Sequence, residues 1–293
     1  MGSTVEVRTL ATEGIAELST ADRVSQRIYS VHRPNTAFFT GGLIGTLGGM
    51  IGLGGAEFRL PLLITVFKLY PHRAIRINLL ISLVTLLAAA GARFNFAGFS
   101  DLGEFLPIVG MMAVGGVVAA WIGAGALDQI PKFRLLNVIV VLLVATSALL
   151  LLEAAGLQWH PEQLSLATTA LLVSLVAGLS VGFVSSFLGV AGGEFIIPIL
   201  VFGFGVDIKL AGTASVLISL PTVLTGVGRH WLEGKYRSRT MLQLLAIPMS
   251  VGSILGAVVG AFLAGWAPAS LLKALLGAIL AISALKLLQR SKT

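Results

Sequence analysis

The 293-residue chain is 56% hydrophobic and only 11% charged, with a mean hydropathy of +0.95. Soluble domains carry about 25% charged residues, so this composition reads as an integral membrane protein; the formal charge of +7 reads as positive cytoplasmic loops rather than as a nucleic-acid surface. No cysteine is present, which excludes disulfides, thiol chemistry and thiolate metal sites.

Residues 1–34 are polar and of mixed charge, with Arg8, Arg23, Arg27 and Arg33. They lack the apolar core and cleavage site of a signal peptide and predict a cytoplasmic arm. Apolar segments follow at about 36–67, 77–97, 104–126, 133–152, 164–204, 210–228, 240–264 and 269–288. Six have the length of one membrane span. The first and fifth are too long: as one helix, 36–67 would reach about 48 Å against roughly 30 Å of hydrocarbon.

Both long segments are interrupted. The first carries GLGGAEFRLP, Gly52 to Pro61, and the fifth carries GVAGGEFIIP, Gly189 to Pro198. Glycine and proline break a regular helix, and a carboxylate in hydrocarbon is costly. If both segments crossed once, the loop with Lys68, Arg73 and Arg76 would lie outside and the acidic Glu153–Glu162 loop inside, against the positive-inside rule. If both re-enter, the Lys68–Arg76 loop, Lys132 and Arg134, the Arg229–Arg239 loop and the Lys286–Lys292 tail all lie inside. Re-entrance therefore fits the charges.

The two halves match at a constant offset of 137: Gly41 with Gly178, Gly45 with Gly182, Gly52 with Gly189, Gly55 with Gly192, Ser82 with Ser219 and Thr85 with Thr222. An ungapped register over about 100 residues indicates internal duplication. The predicted fold is an all-α polytopic membrane protein of two inverted repeats, 35–153 and 163–290, each a broken, re-entrant helix pair plus three transmembrane helices. Such repeats place a binding site at their interface near the midplane.

The candidate substrate-binding residues are those of the breaks and of the polar stripe that follows. Gly52, Gly54, Gly55, Gly189, Gly192 and Gly193 let the chain turn, and each helix restarting after the turn offers free N–H donors to an anion. Glu57 and Glu194 are read three ways: caps for those donors, proton carriers, or cation ligands. Arg59 stands opposite Ile196 in the register, either orienting a substrate or snorkelling. Asn78, Ser82 and Thr85 share one helical face, and Ser215, Ser219 and Thr222 repeat it, as a pathway wall or as interhelical hydrogen bonds. Arg93 matches His230 as a topology anchor or an anion gatherer. His32, His72 and His160 show no metal spacing, and no Walker sequence or catalytic triad is present, so no enzyme activity, metal or cofactor is expected.

With GMIGLGGAEFRLPLL and SFLGVAGGEFIIPIL followed by AIRINLLISL and AGTASVLISL, the chain resembles the TauE/SafE family of sulfite-exporter-like permeases from about Ala37 to Leu288. The resemblance implies ATP-independent transport of sulfite, sulfoacetate or another organosulfonate. It implies roles for glycines 52, 54, 55, 189, 192 and 193 and for Pro61 and Pro198. The expectation is a multi-pass inner-membrane exporter with both termini cytoplasmic, a small anionic substrate and the lipid bilayer as its partners, and no nucleic acid. Proton coupling and homo-oligomerisation stay open. The alternatives are a cation or metal transporter using Glu57 and Glu194, and a non-transporting membrane scaffold.

Overall fold

The computed structural model describes residues 34–67, 69, 71–96, 100–126, 144, 147–148, 151–152, 168–236 and 241–291. The N-terminal arm and most of the segment expected at 133–152 lie outside the described residues. Among those described, every regular element is helical. The first half contributes α1 (Pro34–Ile51), α2 (Ala56–Thr65), α3 (Pro71–Phe96) and, after a short 3-10 turn, α4 (Leu106–Ala126). The second contributes α5 (Thr168–Leu188), α6 (Gly193–Pro198), α7 (Ile208–Leu232), α8 (Ile247–Trp266) and α9 (Ala269–Ser291).

Local chemistry sets these boundaries. Pro71 opens α3 at the first helical position, where its missing N–H costs nothing. The expectation of a loop up to Arg76 is corrected: Arg73 and Arg76 lie in the first turns of this helix. Asp207 caps α7 by accepting from the Lys209 N–H at 2.8 Å. The other end of α7 closes with Gly234 at φ 67, the Gly234 N–H donating to Trp231 O and the Lys235 N–H to His230 O. This left-handed residue satisfies two carbonyls that the helix leaves free.

Five described helices are long and apolar enough to cross a membrane, within 73–93, 102–124, 168–186, 208–232 and 242–266. Helix α1, with 18 residues, reaches about 27 Å at 1.5 Å per residue. Large apolar side chains line the outside of α4 (Val114, Val118, Ile122) and α8 (Val251, Leu255, Phe262), as a lipid-facing surface requires.

The packing exchanges elements between the halves. Helix α1 lies along α8 and α5 along α4, while α3 and α7 meet at the centre and also touch α8 and α4 respectively. Short α2 rests on α3, and α6 on α7. Swapping the halves leaves this description unchanged. Helices α3 and α7 run antiparallel: Arg93 in the last turn of α3 reaches Thr213 early in α7, and Tyr236 just past α7 donates to the Arg76 carbonyl near the start of α3. Small residues permit the closest approaches. Gly41, Gly45 and Gly49 face the backbone of Met249, Ser253 and Ala257; Gly252, Gly256 and Gly260 face Phe38, Gly42 and Thr46. Without a hydrophobic drive between helices in lipid, such backbone contact supplies the packing energy.

Candidate functional site

Both glycine-rich stretches are breaks, and they break in the same way. Gly52 and Gly189 have φ of 96 and 64, and Gly55 and Gly192 have φ of 71 and 79. Gly54 adds a third positive φ in the first copy, at 74. A side chain is strained in this left-handed region, so the glycines of the repeat are required by backbone geometry. Each turn folds the chain back on the helix before it. A Cβ on Gly55 would meet Ile44 eleven residues earlier, and one on Gly192 would meet Val181 at the matched place.

The two breaks touch. A Cβ on Gly193 would lie 3.1 Å from the Leu53 Cα, and one on Gly54 would lie 3.6 Å from the Ala191 Cβ. Cross-repeat hydrogen bonds hold them. Asn78 Nδ2 donates to Ala56 O at 2.9 Å and to Gly189 O at 2.8 Å, while its counterpart Ser215 donates from Oγ to Gly52 O at 3.1 Å. Each repeat thus satisfies carbonyls freed by the other's turn, which buried backbone requires.

Glu57 and Glu194 stand in the first turns of α2 and α6. Gly55 and Gly192 occupy the cap positions themselves, and the Glu57 carboxyl lies within reach of its own backbone N–H in the first turn. The carboxyls also face each other within hydrogen-bonding reach. Apart from the Glu57 backbone N–H, no other group among the described residues meets either oxygen of Glu57 or Oε2 of Glu194, although all are buried. A proton shared across the pair is the available bond.

Beside the pair lies Arg59, 0% exposed. It does not snorkel. Its Nη1 donates to Ser82 Oγ at 3.1 Å; its Nη2 donates to Gly54 O at 3.2 Å, Thr85 Oγ1 at 3.3 Å and Ser253 Oγ at 3.4 Å. Each hydroxyl receives the guanidinium because its own proton goes elsewhere, to Asn78 O, Ile81 O and Gly41 O respectively. All four acceptors are neutral, no described carboxylate lies within salt-bridge distance, and Nε has no partner. The mirrored place carries Ile196, with Ser219 and Thr222 where Ser82 and Thr85 stand and Gly116 where Ser253 stands. Thr222 bonds its own helix at Ile218 O, 2.8 Å, and the buried Ser219 Oγ is left without a partner.

The structure therefore brings together Gly52, Gly54, Gly55, Glu57, Asn78, Gly189, Gly192, Gly193, Glu194 and Ser215 around the paired breaks. Ser82 and Thr85 gather on Arg59; Ser219 and Thr222 occupy the uncharged mirror position. Sequence reasoning left Arg59 undecided and missed Ser253, whose signal was a hydroxyl at a position matched by glycine in the other half. Arg93 is buried as well, donating to Gly49 O at 2.9 Å, Met50 O at 3.0 Å and Thr213 Oγ1 at 3.0 Å. Among the described residues, no group of three or more His, Asp or Glu is placed to hold a metal ion.

Comparison with known proteins gives a consistent picture. A family model described as Sulfite exporter TauE/SafE matches residues 37–287. The probable membrane transporter protein YdhB of Bacillus subtilis (strain 168) is 26% identical over 247 residues, 84% of this chain and 96% of that protein. A probable membrane transporter protein of Xylella fastidiosa (strain 9a5c) is 27% identical over 264 residues, 86% of this chain and 94% of its own length. No solved structure matches the chain.

Proposed function

This chain belongs to the sulfite exporter TauE/SafE family of membrane transporters, and on that premise we propose that it is a secondary transporter of a small sulfur-containing oxyanion, sulfite or an organosulfonate. The observation that carries the reading is Arg59. A guanidinium taken out of water costs several kcal/mol unless an opposite charge meets it; here its hydrogen-bond partners are all hydroxyls and a carbonyl, and the nearby carboxyl pair opposes it without a salt bridge and only while one of the two is ionised. A tetrahedral or pyramidal oxyanion supplies the missing charge and accepts the forked N–H groups, and the hydroxyls of Ser82, Thr85 and Ser253 can turn their protons toward it.

The carboxyl pair supplies the coupling. Two ionised carboxylates in contact and buried repel strongly, so a proton is held between them. With one proton, the pair's remaining negative charge offsets Arg59. With two, Arg59 is unopposed and the site accepts a monoanion, so anion and proton move together. Inverted repeats complete the reading: the antiparallel course of α3 and α7 and the exchange of packing partners support it, and alternating access then follows from rocking one repeat against the other. A cation site is disfavoured by Arg59 beside the carboxyls. In proteoliposomes, purified protein should move sulfite or a short organosulfonate down its gradient, faster with a pH gradient in the same direction. Folded protein that moves neither anion under either gradient would remove the substrate assignment.

A further inference from the structure

The two ends of the α3–α7 pair carry matched residues that are treated differently. At one end, the Arg93 guanidinium clasps the carbonyls that end α1, Gly49 and Met50, and ties them to Thr213 of the other repeat. Only its Nε is left over. At the opposite end the matched residue is His230, 3% exposed, and neither of its ring nitrogens has a hydrogen-bond partner. The Arg76 Nε nearby is also buried without an acceptor. Leaving such buried groups unmet is costly. The strained end is therefore the His230 end, and the latched end is that of Arg93.

The charges around His230 favour one kind of visitor. Arg76 faces it from α3, and Arg229, Lys235 and Glu233 from the end of α7. The one carboxylate among the described residues there, Glu233, is shared: Arg229 Nε lies 3.4 Å away, Lys235 Nζ 3.8 Å and His230 Nδ1 3.9 Å. Arg229 is also committed to α4, donating to Trp121 O and lying over its ring. Positive charge is in surplus, and its open donors are those of Arg76 and His230. Among the described residues, the polar tie between the helices at this end is one hydrogen bond, Tyr236 OH to Arg76 O at 3.2 Å, beside the apolar packing of Ile75, Leu79, Val227 and Tyr236.

We propose that His230 and Arg76 form a second, transient site for a small oxyanion at the end of α3–α7 opposite Arg93, completed when that end opens. The site lies apart from Arg59 and is the anion's first or last contact with the protein. In the shut form, His230 and Arg76 lie against protein atoms without partners. Opening admits the anion, which takes an N–H from His230 and the Nε–H of Arg76. The inference extends the transport reading, but the binding step does not depend on Arg59.

Diethyl pyrocarbonate labelling of the full chain in lipid nanodiscs, with the His230 adduct quantified by mass spectrometry, tests it. Inorganic sulfate is compared with gluconate at equal ionic strength. His230 should be modified, and about threefold more slowly when sulfate fills two-thirds of the sites. Protection should vanish in Arg76→Gln and persist in Arg59→Gln. No modification, a rate indifferent to sulfate, or protection lost in Arg59→Gln would each overturn the proposal. Unchanged anion affinity in Arg59→Gln, by contrast, overturns only the transport site.

Discussion

Replacing Arg59 with methionine separates a substrate-binding residue from a structural strut, because the two roles predict opposite balances of stability and affinity. The side chain donates four hydrogen bonds, but three of its acceptors are hydroxyls already satisfied by Asn78 O, Ile81 O and Gly41 O. Only the Gly54 carbonyl loses a donor it needs, a cost of about 1–3 kcal/mol. Against this, the variant also removes a buried cation, and the carboxyl pair beside it can take up a second proton, so that no buried charge is left unopposed. The unliganded protein should therefore unfold at nearly the wild-type temperature. Anion binding should instead lose a charge-assisted, forked contact, about 3 kcal/mol or more, which weakens Kd by about 150-fold. Calorimetric titration with sulfite and thermal unfolding, both in detergent, measure the two quantities. A variant several kcal/mol less stable with unaltered affinity would show that Arg59 is a strut and that the anion binds elsewhere.

The remaining predictions address coupling and backbone. Glu57→Gln and Glu194→Gln each remove one member of the pair that holds the proton, so anion flux should lose its dependence on a pH gradient while downhill exchange continues. A pH response equal to wild type in both variants would place the proton elsewhere. Gly52→Ala puts a side chain at φ 96 and drives it into the Gly212 carbonyl, and Gly189→Ala at φ 64 meets Ile75 in the same way. Each should lower stability by about 1–3 kcal/mol, whereas Gly228→Ala, with nothing within 4 Å of the new Cβ, should not; thermal unfolding decides.

The breaks were legible because their cause is local. Thirty-two apolar residues are too long for one span, and glycines repeated at a fixed offset mark positions where only glycine tolerates the dihedral. The start of α3 was less legible: Arg73 and Arg76 look like loop residues until Pro71 is seen to start the helix. Glu57 and Glu194 show the limit most clearly. Their position in a first turn suggests caps, and nothing local says that the two carboxyls also face each other.

By itself the sequence determined that this protein lives in a membrane, that two stretches of it match in register at an offset of 137, and that each stretch breaks at a glycine-rich turn. Those properties follow from composition, from helix length against bilayer thickness and from backbone sterics, all of which act over a few residues. Only the tertiary structure decided which groups meet: Asn78 with the other repeat's turn, Glu57 with Glu194, and Arg59 with Ser82, Thr85 and Ser253 rather than with a carboxylate. Arg59 and Ser253 are separated by 194 positions, and no local pattern encodes that distance. Their meeting depends on α1 and α8 approaching closely enough, through facing glycines, for a hydroxyl from one repeat to reach a cation from the other.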